Sequence, residues 1–139
     1  MNTKRMLLAA LGCLVVSFVI AGVWHLVLAK NLYEQLGVFS RQEPIIALGF
    51  IDNVLKSLVL AHLYPIGYQG GHPVKEGFRF GIFTGVLVGS SWVLGVGATQ
   101  PVTSLSTWIV IESAFVLIQF GLAGIVIGLI YGKGQKSSA

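Results

Sequence analysis

Four long apolar blocks, separated by short polar segments, constrain this chain more than any other feature of its sequence. They lie at about residues 6–29, 44–64, 74–98 and 106–131. Each is about long enough to cross the roughly 30 Å hydrocarbon core of a bilayer as a helix. None carries the polar stripe that a soluble helical bundle turns toward water. We therefore predict a single all-α domain (1–139), an integral membrane bundle of four transmembrane helices.

The composition and charge of the chain agree with a membrane protein. Only 10% of its 139 residues are charged, whereas a soluble domain has about 25%. The net charge of +4 does not indicate nucleic-acid binding, because the basic residues lie mostly at block ends, where they set topology and contact lipid head groups. We expect the lipid bilayer as a partner and no nucleic acid. The single cysteine, Cys13, excludes an intramolecular disulfide.

The distribution of lysine and arginine predicts that both termini lie in the cytoplasm. Of these residues, six fall on the side of the two termini and the second loop: Lys4, Arg5, Lys75, Arg79, Lys133 and Lys136. The opposite side holds only Lys30 and Arg41. Cytoplasmic loops carry an excess of basic residues, so we predict an N-in/C-in protein. We expect its location to be a bacterial inner (cytoplasmic) membrane.

The second block contains an acid and a base far from either of its ends. Counted from Pro44 at the helical rise, Asp52 lies about 12 Å and Lys56 about 18 Å inside the helix. Their i,i+4 spacing places them on one side, with Asn53 in the same arc. A charge at the bilayer centre costs about 2.5–3.5 kcal/mol, so this polar pair must face protein or water. It is either a proton or cation site or an internal ion pair that fixes helix register.

Further polar residues fall in the outer half of the predicted bundle. Glu112 lies about 9 Å inside the fourth helix, Gln119 faces the same way seven residues later, and His25 lies near the outer end of the first helix. Together with Asp52, they would form an outward-opening polar pocket for a cation, proton or small polar solute. The alternative is that each is satisfied separately. Because no local ligand spacing is present, we expect no metal site and no cofactor.

A second polar group gathers near the other end of the second and third blocks. Its members are His62, Tyr64, His72, Glu76 and Arg79. We interpret Glu76 and Arg79 as an exposed interfacial pair at the start of the third helix, and His72 as a loop residue beside Pro73. On this interpretation the group has no function of its own.

Glycines recur at every fourth position of the last two blocks. These positions are Gly77, Gly81, Gly85 and Gly89 in the third, and Gly124, Gly128 and Gly132 in the fourth. Such ridges let neighbouring backbones approach closely, and packing contact is the main attraction between helices in lipid. The ridge of the fourth helix lies nearly opposite Glu112 and Gln119, so two opposed faces would both seek protein. We therefore predict a homo-oligomer or a larger membrane complex.

Three functions remain open from the sequence. The first is a structural, accessory or binding subunit, packed through the glycine ridges around an intramembrane polar cluster. The alternative is a small ion-, proton- or solute-translocating carrier or channel that uses Asp52, Lys56 and Glu112. The second alternative is a membrane metalloenzyme. The chain has no phosphate-binding glycine loop, no His-Glu-x-x-His and no nucleophile elbow, so we expect that it is not an enzyme.

The orientation is testable with a topology reporter fused after Ala139. We expect cytoplasmic reporter activity, because six of the eight basic residues flanking the helices fall on the side of the two termini. The same reporter placed in the first loop serves as the control and should report the opposite side. Periplasmic activity of the fusion after Ala139 would refute the N-in/C-in orientation.

Overall fold

The computed structural model describes residues 2–38, 43 and 45–132, and that part of the chain is all-helical. It confirms the predicted fold class, since four helices are long and apolar enough to span a membrane. Arg41, Pro44, Lys133 and Lys136, which entered the predicted topology and helix boundaries, lie outside the described residues. The elements are α1 (Thr3–Val23), a π-helical turn (Trp24–Leu28), α2 (Lys30–Leu36), α3 (Ile46–Gly67), α4 (Pro73–Thr99) and α5 (Leu105–Gly132).

Two local features differ from the sequence-based boundaries. The short helix α2 was not predicted, because its polar sequence resembles a loop. We expected Pro65 to end the second spanning helix, but α3 continues through it to Gly67. Proline has no N–H and leaves the carbonyl four residues earlier without its helical donor. The Tyr131 hydroxyl donates to this carbonyl, that of Ala61, at 2.7 Å, so the last turn of α3 persists.

Helix α5 lies at the centre of the bundle, with α4 on one side and α1 on the other. Half of its most apolar 18-residue window is buried, against 22% in each of the other three spanning helices. This position corrects one step of the sequence argument. The two opposed faces of α5 do not require a second chain, because α4 and α1 cover both of them.

The glycine ridges of α4 and α5 pack against each other, backbone to backbone. A Cβ atom added at Gly81 would lie 2.1 Å from the Phe120 carbonyl oxygen, and one at Gly124 would lie 2.2 Å from that of Gly77. Gly85, Gly89 and Gly128 are also in close contact across this interface. In the structure these ridges pack against the neighbouring helix of the same chain.

Helix α3 is the outermost of the spanning helices. It packs mainly against α1 and touches α5 at only a few points. The ring of Phe50 meets that of Phe18 edge-on, with centroids 5.9 Å apart, and Ala61 is fully buried. Much of the remaining surface of α3 therefore faces outward.

The α4–α5 contact predicts a sharp difference between two glycines of the same helix. Gly81→Ala should destabilise the protein by about 1–3 kcal/mol or more, since its methyl group would overlap backbone that cannot move aside. Gly95, which has nothing within 4 Å of its added Cβ, is the matched control. Gly95→Ala should be neutral or gain up to about 1 kcal/mol of helix propensity. Thermal unfolding in detergent measures both, and equal melting temperatures would contradict the packing.

Candidate functional site

A buried carboxylate organises one end of the bundle. Glu112 is 1% exposed and lies about 10 Å inside α5, by helical rise. One of its oxygens accepts a hydrogen bond from the Tyr33 hydroxyl, and the other accepts from Nε1 of Trp92 at 2.8 Å. Trp24 Nε1 in turn donates to the Tyr33 oxygen at 3.1 Å. The carboxylate therefore joins α5 to α4 and to α2, and through Tyr33 to the end of α1.

Tyr33 reaches this carboxylate because the chain folds back over one end of the helical bundle after the first spanning helix. The π-helical turn after Val23 ends the first span, and the Ala29 N–H donates to the Trp24 carbonyl at 2.8 Å. Helix α2 then ends at Gly37, whose φ of +68° is left-handed. Thr103, in the α4–α5 loop, donates from its N–H to the Leu36 carbonyl at 3.1 Å. This bond fixes the far end of α2, and we call the π-helical turn together with α2 the cap.

The electrostatics keep the Tyr33 phenol protonated. Burial, followed by the adjacent Glu112 carboxylate, raises the pKa of Tyr33 far above its usual value, since a phenolate would be both desolvated and repelled. The group therefore donates a hydrogen bond at neutral pH. A charge-assisted hydrogen bond of this kind contributes about 1.5–3 kcal/mol.

His25 joins the same end of the bundle through ring contacts. Its imidazole stacks on the Tyr33 ring, with centroids 5.0 Å apart and planes at 12°. The edge of the Phe115 ring closes its other side at 4.5 Å. His25 and Glu112 are therefore close together, as the sequence suggested, but aromatic rings pack around His25, and neither residue lines any of the three cavities found between described residues at the end of α3, beside Gln119 and along α4 and α5.

Gln119 belongs to a separate polar layer deeper in the bundle. Its Nε2 donates to the Ser17 carbonyl of α1 at 3.1 Å, a full two turns from Glu112. A small cavity of about 10 Å³ lies beside it, also lined by Asn53 and Lys56, and holds about one water molecule. Asn53 donates to the Gly49 carbonyl at 2.9 Å, while its Oδ1 atom and the Ser57 hydroxyl have no partner among the described residues.

Asp52 and Lys56 form the expected ion pair, 2.6 Å between Oδ2 and Nζ. The Asp52 side chain is 59% exposed and that of Lys56 31%, so the pair lies on the outer surface of α3. The prediction that His25, Asp52, Glu112 and Gln119 converge is wrong for Asp52 and Gln119. Asp52 faces outward because α3 turns Asn53, Ser57 and Leu60 toward the bundle instead.

The structure adds Tyr33, Trp92 and Trp24 to the residues singled out from sequence. None of these three was among the predicted site residues. A usable signal was available, because a buried indole N–H or phenol needs an acceptor and Glu112 is the one acid in the fourth block. In residues 2–38, 43 and 45–132, no three His, Cys, Asp or Glu side chains are placed to hold a metal ion.

Comparisons with protein-family models, with curated proteins and with solved structures found no match for this chain. Function must therefore be argued from the geometry of these polar groups. Two of them, around Glu112 and Gln119, are enclosed by the bundle. The third, Asp52 with Lys56, is not.

A double-mutant cycle tests the role of Glu112 as the lock of the cap. Tyr33→Phe removes the hydroxyl that donates to the carboxylate and should lower the free energy of unfolding by about 1.5–3 kcal/mol. In a Glu112→Leu background, the same change should have a much smaller effect, because its acceptor is already gone. Additive losses in denaturant or thermal unfolding would show that the two groups are not coupled.

Proposed function

We propose that this chain is a structural or accessory subunit of a membrane complex, docked through the outward face of α3. The observation that carries the proposal is the Asp52–Lys56 ion pair, which lies on that face with side chains 59% and 31% exposed. Its neighbours on the same face are apolar and open, including Leu55 at 59% and Val59 at 55%. The outward face of α3 is therefore apolar except for two opposite charges.

The position of the pair along α3 makes its exposure costly. Lys56 lies about 15 Å from either end of the 22-residue helix, by helical rise, and Asp52 about 9 Å from its start. Neither reaches the head groups without bending far along the helix. Mutual pairing reduces the insertion cost of about 2.5–3.5 kcal/mol per charge but leaves hydrogen-bonding sites turned toward lipid. A protein surface that supplies donors and acceptors at that depth would be strongly favoured.

A second copy of the chain supplies such a surface. In a dimer with a two-fold axis along the membrane normal, the same face of α3 meets itself. Each Asp52 then lies one turn from the Lys56 of the other copy, and four charges alternate around the axis. Exchange of the two ion pairs satisfies both charges without any other chain. We propose this homodimer, in a bacterial inner membrane, on the support of that self-complementarity and of the distribution of basic residues.

Translocation of an ion, proton or solute is the second candidate, and one observation favours it. Lys56 and Asn53 line the small cavity beside Gln119, and the Asn53 Oδ1 has no hydrogen-bond partner among the described residues. A proton could be relayed between such groups and Asp52. Its support is weaker, because Glu112 has both oxygens engaged by donors from Tyr33 and Trp92 and lies outside that cavity.

The dimer is tested by cysteine cross-linking in membranes. Val59→Cys lies on the α3 face of the ion pair and should give a disulfide-linked dimer on oxidation. Leu87→Cys on α4, which is 73% exposed, is the matched lipid-facing control and should stay monomeric. Native Cys13 is buried, at 1% exposed, so the unmodified chain gives the background.

Charge reversal then tests whether the cross-link depends on the Asp52–Lys56 ion pairs or only on the proximity of the two α3 helices. Asp52→Lys puts four lysines at the axis and should abolish the Val59→Cys cross-link. Adding Lys56→Asp to this variant restores the alternating charges and should restore the cross-link. A cross-link to a different protein instead of the dimer would support the role as a subunit but would show that the partner is not a second copy of this chain. If neither product forms, while Asp52→Asn abolishes uptake of a proton or ion, the carrier candidate prevails.

A further inference from the structure

A cavity of about 420 Å³ opens between the end of α3 and the beginning of α4. This volume lies within the range of small-molecule and cofactor sites, about 300–1,000 Å³. Because the cavity is formed at helix ends, it lies at the membrane–water interface whichever way the chain is inserted. Its walls are the loop and aromatic residues Tyr64, Gly67, Tyr68, Gln69, Gly70, Phe80 and Phe83, and the charged residues Glu76 and Arg79.

Tyr64, one of the residues that line the cavity, has a buried hydroxyl without a hydrogen-bond partner among the described residues. Tyr64 is 2% exposed, and its Oη atom contacts no donor or acceptor in the described part of the chain. Leaving such a group unsatisfied is unfavourable, because it has lost its hydrogen bonds to water. Two neighbouring tyrosines are satisfied, since Tyr131 donates to Ala61 and Tyr68 donates to Gly71. Of these three hydroxyls, that of Tyr64 alone lacks an acceptor, and because it is shielded from solvent, an acceptor from outside the chain reaches it only when the side chains around it move.

The two charges that line the cavity are also available to a ligand. Within the described residues the one ion pair is Asp52–Lys56, so Glu76 and Arg79 do not neutralise each other as the sequence suggested. Arg79 lies over the Phe83 ring, 5.9 Å from its centroid. Glu76 packs beside Gly71. The cavity therefore offers one positive and one negative group, one helical turn apart, and no net charge.

We propose that this cavity binds the zwitterionic phosphoethanolamine head group of a membrane lipid. The guanidinium of Arg79 and the hydroxyl of Tyr64 match a phosphate diester, since both donate hydrogen bonds. The carboxylate of Glu76 and the partly exposed ring of Tyr68, which stacks on Tyr64 with centroids 5.5 Å apart, match the ammonium group through charge and cation–π attraction. A purely anionic head group would satisfy Arg79 but would face Glu76 with the same sign.

The surroundings of the cavity favour a lipid over a soluble phosphoethanolamine. Phe83, at its rim, is 66% exposed, and Ile66, on the last turn of α3, is 69% exposed. The acyl chains of a lipid whose head group is held by Arg79 lie along these side chains, where burial of their CH₂ groups strengthens binding. This inference is independent of the proposed α3 contact, because its residues lie at the helix ends and not on the Asp52 face.

Calorimetric titration of the detergent-solubilised full-length chain with short-chain lipids tests the proposal. We expect dihexanoyl phosphatidylethanolamine to bind at least about 10-fold more tightly than the phosphatidylglycerol analogue, the value of one charge-assisted contact. Arg79→Gln should weaken both lipids by about 10-fold. Glu76→Gln should weaken the ethanolamine lipid alone and so remove the preference. Tyr64→Phe should weaken both about 3- to 10-fold without lowering the melting temperature, because its hydroxyl has no partner to lose.

Controls separate this site from general attraction to lipid. Lys75→Gln removes a positive charge from the first turn of α4 but from no wall of the cavity, and should leave both affinities unchanged. Soluble phosphoethanolamine should bind at least about 10-fold more weakly than its lipid; equal affinity would assign the site to the free compound. Equal binding of the two lipids, or unchanged binding by Arg79→Gln and Tyr64→Phe, would overturn the proposal.

Discussion

A bilayer core contains no water, so every polar group placed there must find its partner within protein. This constraint explains most of the internal contacts of the chain. Glu112 receives donors from two other helices, and Gln119 donates to the backbone of α1. The Ala61 carbonyl, left without its helical donor by Pro65, accepts from Tyr131 instead. Each partner lies on a different element, so satisfying the polar groups also fixes how the helices are arranged.

Close approach of α4 and α5 is what makes the Glu112 contacts possible. The glycine ridges bring the two backbones together along several turns, because the added Cβ atoms would overlap main-chain atoms at Gly81 and Gly124. Trp92, two turns before the end of α4, then reaches the carboxylate from the side. Packing and hydrogen bonding therefore act together. The glycine ridges set the distance and register between α4 and α5, and the hydrogen bonds of Glu112 form only in that register.

The sequence predicted the spanning helices and the Asp52–Lys56 pair, because hydropathy and i,i+4 spacing are local properties of one segment. It also predicted that the glycine ridges pack, but not against what, since a ridge carries no information about its partner. The outward direction of Asp52 was not predictable, because α3 is apolar on most sides and only packing against α1 selects its buried face. The contact of Tyr33 with Glu112 depends on α2 folding back over the end of the bundle. The pattern of apolar residues does not predict this tertiary contact.

The polar groups of this protein fall into two kinds, and the difference between them carries the functional argument. Glu112 and Gln119 make their hydrogen bonds within one chain, so these contacts stabilise the fold. Those at Asp52 on α3 and at Tyr64 beside the interfacial cavity are incomplete, one exposed and the other buried without a partner. The first of these positions lies on the outer surface of α3, and the second lies beside a cavity at the helix ends. These are the positions at which we propose that other molecules, protein at one and lipid at the other, bind the chain.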